Sequence, residues 1–258
     1  MEQNLSNPKL LSSLLAMAEA MLVCGAEITR VEDTIARMGM AYGARRMNVF
    51  VITSCIIVTM TLPDGSELTQ TRRVTTAGST DFVKLERFNA LSRRACSGQL
   101  SPEELDEQIT AISATAPERW RLYVGSVLAA GGFAVFFGGN LGDSVVAALF
   151  VLLICRMQET LLPISMNQLS FNVTCSLIVG TLTGIFTALL PVFHLDKIII
   201  GYIMVLIPGL AMTNAVRNIL VGNTISGVMR LIEALLWATA LAIGFMVAMY
   251  LTGGVHLV

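Results

Sequence analysis

Residues 122–155 read LYVGSVLAAGGFAVFFGGNLGDSVVAALFVLLIC, and Asp143 is the one charged side chain among them. Such a run cannot form the surface of a water-soluble domain. It is long enough for two helices across a hydrocarbon core of about 30 Å, at 122–138 and 144–162. Toward the C-terminus the deficit of charge persists: after Arg121 only Asp143, Arg156, Glu159, Asp196, Lys197, Arg217, Arg230 and Glu233 are charged. Hydrophobic segments at 169–190, 198–210 and 231–251 bring the expected number of spans to five. The segment at 198–210 is marginal unless it continues past Pro208.

Toward the N-terminus the composition changes. Residues 1–121 hold 13 of the 17 Lys and Arg and 14 of the 18 Asp and Glu. The whole chain of 258 residues is only 14% charged, against about 25% for a typical soluble domain. The expected fold is a polytopic α-helical membrane protein with an N-terminal soluble α+β domain, divided as 1–117 and 118–258. Within the first part, Leu10 to Leu22 recurs at helical spacing, with Asn7 and Pro8 as N-cap and first helical residue and Gly25 as the stop. This reads as an uncleaved amphipathic helix. The alternative, a signal peptide with a lipoprotein-type box at Leu22-Val23-Cys24, is disfavoured by Glu19 and by the bulk of Val23. A second helix carries Ile28, Val31, Ile35, Met38 and Tyr42 on one face and ends at Gly43. Ile56 to Leu62 alternates as a half-buried strand, Pro63-Asp64-Gly65-Ser66 is a turn, and 67–74 returns as its hairpin partner. After Gly78, a third helix runs through Phe82, Leu85, Phe88 and Leu91. Ser101-Pro102-Glu103-Glu104 is a capping box for a fourth, and Pro117 closes the domain.

Several function classes are excluded at this level. A net charge of −1 leaves no basic stripe for nucleic acid. Five scattered cysteines without a CxxC pair indicate free thiols, two of them in the membrane, and two isolated histidines leave no metal site. No P-loop, nucleophile elbow or HExxH is present, so neither ATP hydrolysis nor any other enzymatic activity is expected, and no cofactor. Arg119, Arg121, Arg156, Arg217 and Arg230 mark one side of the membrane and Lys197 the other. With five spans this puts the N-terminal domain in the cytoplasm and the C-terminus outside.

The densest polar cluster near the membrane is Pro208-Gly209-Leu210-Ala211-Met212-Thr213-Asn214-Ala215-Val216-Arg217-Asn218. Proline beside glycine breaks a membrane helix, and such a break is tolerated only where protein or a water-filled cavity satisfies the freed backbone. Pro208, Gly209, Asn214, Arg217 and Asn218 are therefore the candidate substrate-binding residues, with Arg217 pairing a carboxylate and the two asparagines hydrogen-bonding it. The competing reading is a short cytoplasmic connector in which Arg217 and Arg230 are topology charges. In the third span, Asn172, Thr174, Ser176, Thr181, Thr183, Thr187 and Gly180-x-x-x-Gly184 indicate close helix packing rather than a permeation lining. Arg156 and Glu159, three apart, can neutralise each other. Gly25-Ala26-Glu27 reads as helix capping, and His194 and His256 receive no role.

The pattern Cys24-Gly25-Ala26-Glu27, a helix, the Thr53–Thr61 strand and Arg72-Arg73, followed far downstream by Pro208-Gly209 … Asn214 … Gly222 … Gly227 … Arg230, resembles the threonine/serine exporter family over about residues 10–251. The resemblance implies one long chain of about ten spans or two subunits, and this length matches the larger subunit of the split form. It implies secondary export of small polar metabolites, amino acids such as threonine and serine or dicarboxylates such as succinate, with a smaller membrane subunit or a homo-oligomer as partner. It also implies a bacterial inner-membrane location. Some relatives are expected to carry an acidic residue where this chain has Asn218, so the resemblance does not by itself imply proton coupling through that position. The alternative function is a membrane-anchored regulatory or ligand-sensing module. Polar groups in several spans favour transport.

Overall fold

The computed structural model describes residues 3–75, 80–116 and 118–253, the first four by backbone alone; Gly78, Pro117 and His256 lie outside this set. By its contacts the chain divides into two compact units, Met1–Pro117 with Asn214–Met229, and Glu118–Thr213 with Arg230–Val258.

In the first unit, α1 (Gln3–Val23) leads to α2 (Ile28–Ala41), then β1 (Arg46–Ile52), β2 (Cys55–Thr61), β3 (Glu67–Arg73), α3 (Phe82–Cys96) and α4 (Pro102–Ala114). The sheet is an antiparallel meander with β2 in the middle, Val58 lying between Val49 and Gln70. Ile56, Val58 and Met60 point into the core, while the other face exposes polar pairs such as Thr59 and Thr69, whose hydroxyls lie 2.8 Å apart. The hairpin read from the sequence is present, but β1 was not expected. Its burial alternates residue by residue, with Val51 its one fully buried residue, but in the sequence the period is masked by the apolar Phe50 on the exposed face.

The long apolar run is the centre of this domain. Leu10, Leu11, Leu14, Leu15, Met17, Ala18, Met21 and Leu22 are all buried. They cover most of the helix circumference, so α1 is a core helix clasped by α2, α4 and the sheet rather than an amphipathic one. It also begins earlier than Asn7, and Pro8 lies inside it. The capping box of α4 is formed as expected: the Ser101 hydroxyl accepts from the Glu104 N–H and the Glu104 carboxylate accepts from the Ser101 N–H.

The second unit is helical, with α5 (Arg119–Phe136), α6 (Leu141–Thr160), α7 (Gln168–Leu189), α8 (Leu195–Leu206), the start of α9 (Gly209–Leu220) and most of α10 (Thr224–Leu251). Where five spans were expected, three helices among the described residues, α6, α7 and α10, are long and apolar enough to cross a membrane, and four if the bent pair α8–α9 is one span. The α5 helix has 18 residues but spends its first turn on Arg119 and Arg121, which shortens its apolar stretch. With 12 residues, α8 is only about 18 Å long, too short to cross alone. Residues read as a loop before the last span are helix instead: α10 starts at Thr224 and takes in Arg230.

Hydroxyls in α7 turn back onto their own backbone. Ser176 donates to the Asn172 carbonyl at 2.7 Å, Thr183 to Val179 at 2.7 Å and Thr187 to Thr183 at 3.0 Å. A Cβ on Gly180 would lie 2.8 Å from that of Ala248. These groups serve helix packing. Tyr202, fully buried on α8, reaches Thr183 at 3.1 Å, and at the neighbouring Gly201 α8 lies against Ala130 and Ala134 of α5. Only 39%, 44% and 33% of the most apolar windows of α6, α7 and α10 are buried, so wide apolar faces remain for lipid or another membrane protein.

Candidate functional site

Pro208 does what its chemistry requires. Ile207 before it is extended, with φ −64° and ψ 129°, and α8 ends there. The chain restarts as α9 after a bend of 51°. The Met212 N–H bonds the Pro208 carbonyl at 3.0 Å and the Thr213 hydroxyl bonds the Gly209 carbonyl at 2.9 Å, which stitches the first turn of the new helix. A Cβ on Gly209 would meet nothing within 4 Å, so this glycine serves the break and not a close approach. Pro208 and Gly209 belong to the second unit; Asn214, Arg217 and Asn218 belong to the first.

Helical spacing puts Asn214, Arg217 and Asn218 on neighbouring positions of one face of α9. Their environments differ. Asn218 is 2% exposed, turned into the interior, whereas the Arg217 side chain is 59% exposed. A tight turn follows in which the Val221 N–H bonds the Arg217 carbonyl at 3.0 Å and the Asn223 N–H bonds the Asn218 carbonyl at 2.9 Å. Gly222 takes φ +93° there. Gly227 then lets α10 lie directly on α9: a Cβ on it would fall 2.8 Å from the Ala215 carbonyl oxygen. The side-chain nitrogen of Asn223 is buried and, among the described residues, has no partner.

Arg217 has a partner that the sequence did not disclose. Its Nη1 donates to the Oε1 of Glu27, and both residues belong to the first unit. Two motifs 190 positions apart in the chain thus meet. Glu27 is presented by a rigid junction. Gly25 takes φ +86°, its N–H bonds the Leu22 carbonyl at 3.0 Å, and the Ala26 N–H bonds Met21 at 3.0 Å, which closes α1. The Asp81 N–H bonds the Cys24 carbonyl at 3.1 Å and fixes the junction from α3. Glycine capping at Gly25 is therefore as expected. Glu27 stands at the N-cap of α2, but its side chain makes no capping bond and goes to Arg217 instead.

Further ion pairs sit in the second unit. Arg156 donates to Glu159 at 3.1 Å, the neutralising pair read from their spacing, and Arg119 lies 3.8 Å from the same carboxylate. His194, given no role from the sequence, has one. Asp143, fully buried, accepts from the Asn140 N–H, the His194 N–H and the His194 ring Nδ1, each at 2.9 Å. The arrangement ties the turn before α6 to the loop before α8 and is structural.

Comparison with known proteins narrows what this assembly serves. The profile of the family described as putative threonine/serine exporter matches residues 12–252. The chain is 26% identical over 232 residues to the probable succinate transporter subunit YjjP of Klebsiella aerogenes, covering 89% of this chain and 88% of that one. It is 24% identical over 249 residues to the probable threonine/serine exporter of Mycobacterium tuberculosis, covering 95% of this chain but 47% of that protein. The chain thus spans about half the length of the mycobacterial relative. No solved structure matches. The relatives are transporters, and the apolar helices are those of a multi-pass membrane protein: the chain belongs to the threonine/serine exporter family.

Proposed function

We propose that this chain is one subunit of a secondary transporter that exports small carboxylate-bearing metabolites, amino acids such as threonine and serine or dicarboxylates such as succinate, across a bacterial cytoplasmic membrane. Residues 1–117 form its cytoplasmic α+β domain and 118–258 its membrane domain. Pro208, Gly209, Asn214, Arg217 and Asn218 belong to the substrate path, and a second, smaller membrane subunit completes it. The observation that carries this reading is the broken helix pair α8–α9 with one exposed arginine on the restarted helix. A guanidinium is the side chain suited to a planar carboxylate. The partner subunit is supported by the relative named as a subunit, by the half-length match to the mycobacterial exporter and by the apolar faces left on α6, α7 and α10. A cytoplasmic N-terminal domain with the C-terminus outside is supported by the Arg side chains. Arg119 shares Glu159 with Arg156, so the start of α5 and the end of α6 lie at one end.

The test is export of threonine, serine and succinate from cells lacking this chain, complemented with it alone or with the candidate small subunit. Restoration by the pair and not by either chain alone is the expected result. Arg217→Ala should insert normally, because Arg230 still marks the same side, yet lose transport. A charge-assisted hydrogen bond is worth about 1.5–3 kcal/mol, and 59% exposure puts the loss at the lower end, about one decade in apparent affinity. Arg217→Lys should retain part of the activity. Unchanged kinetics in Arg217→Ala at normal expression would reduce the residue to a topology charge.

A further inference from the structure

The ion pair between Glu27 and Arg217 raises a question that the proposed site leaves open, and the inference rests on that reading of Arg217. If Arg217 receives a substrate carboxylate, it already holds one from its own chain. We infer that Glu27 is a tethered competitor for the substrate carboxylate: it occupies Arg217 in the empty transporter and is displaced when substrate arrives.

Three features support the assignment. First, among the described residues the Glu27 carboxylate has no other hydrogen-bond or ion-pair partner. Glu27 is an N-cap by position, but caps nothing with its side chain, so no helix-capping role competes for it. Second, both partners are held on fixed backbones. The α1–α2 junction is locked by Gly25, Ala26 and the Asp81 bond, and the α9–α10 turn by Gly222 and Asn223. Two rigid mounts bring the groups together by design of the fold and not by chance flexing of long side chains. Third, the contact is cheap to open. Among the described residues one guanidinium nitrogen is engaged, and the side chains of Arg217 and Glu27 are 59% and 28% exposed. Water screens such a pair, whereas a substrate carboxylate can take the whole guanidinium fork. A buried, fully bonded pair would have resisted exchange; this one permits it.

Competition has a signature that a merely structural pair lacks. Removing the competitor frees Arg217, so the apparent affinity for substrate rises while the turnover step is untouched. Glu27→Gln keeps the size of the side chain, and α2 loses no capping bond. The full chain with its partner subunit should be assayed in inside-out membrane vesicles, measuring the concentration dependence of labelled succinate and labelled threonine uptake. For the substrate that the wild type carries, Glu27→Gln should lower KM roughly two- to fivefold, the factor an exposed pair is worth, with kcat unchanged. Glu27→Asp, shorter by one methylene, should fall between. Arg217→Ala and the double variant Glu27→Gln/Arg217→Ala should be equally impaired, because the competitor acts only through the arginine. An unchanged KM in Glu27→Gln, with Arg217→Ala impaired, would overturn the competition while leaving the proposed site standing. A raised KM would make Glu27 a substrate ligand or a structural brace and would also overturn it. If Arg217→Ala itself transports normally, the proposed site fails first.

Discussion

Gly244 offers the sharpest check on the packing of the membrane helices. It sits on α10 where α7 comes closest: a Cβ placed there would fall on the Ser176 hydroxyl, 2.6 Å from the Val173 carbonyl oxygen and 3.1 Å from the Leu177 nitrogen. The contact with Val173 is about 1 Å inside the ~3.5 Å optimum for non-bonded atoms. Because the neighbour is backbone, no rotamer change relieves it, and α7 and α10 must part. Overpacking of this kind costs about 1–3 kcal/mol, and the backbone clash argues for the upper end. Alanine in a helix interior returns about 1 kcal/mol over glycine, which leaves a net loss of roughly 2 kcal/mol. For a chain of this size that is about 4–8 °C in melting temperature. Gly132 on α5 is the control, since a Cβ there meets nothing within 4 Å. Gly132→Ala should hold or raise the melting temperature. Adding Ser176→Ala to Gly244→Ala should recover only part of the loss, because the Val173 carbonyl remains. The assay is thermal unfolding of the detergent-purified chain followed by size-exclusion chromatography. Equal melting temperatures for Gly244→Ala and Gly132→Ala would refute the close approach of α7 and α10.

Two further outcomes follow from the first unit. Glu32 accepts the Val51 N–H at 3.0 Å, and burial pushes its carboxyl above the usual range despite that bond. Its stabilising share is then present below the unfolded value of about 4.3 and lost as pH rises through the folded one. Glu32→Gln, which keeps an oxygen for Val51, should therefore raise the melting temperature at neutral pH and lose that advantage below about pH 4; a lower neutral-pH value contradicts it. Among the described residues Cys96 is the exposed thiol, while Cys24, Cys155 and Cys175 are buried. An impermeant maleimide added to intact cells should spare Cys96 and modify a cysteine introduced at His256, and the reverse pattern would invert the proposed orientation.

Charge and period made the membrane half and most of the domain's helices readable. The candidate site was legible only in part. Arg217 stands out because an arginine in an apolar stretch has few reasons to be there, and Pro208 because no other residue ends a helix so firmly. Glu27 did not stand out, since an acidic residue at a helix start is what capping alone predicts. The roles of Asn218 and His194 were equally hidden. Asn218 is buried, and His194 holds a buried Asp143 where nothing was expected.

The sequence by itself determined the solvent of each half of the chain. Eight charges after Arg121 cannot cover a water-facing surface, and alternation or helical spacing assigns most faces, because both depend on neighbours within one element. Only the tertiary structure decided which helix is central and which carboxylate meets Arg217. These are matters of long-range packing. Glu27 and Arg217 are 190 residues apart, and nothing in local periodicity encodes a contact made when the rigid α1–α2 junction and the α9–α10 turn fold into one unit.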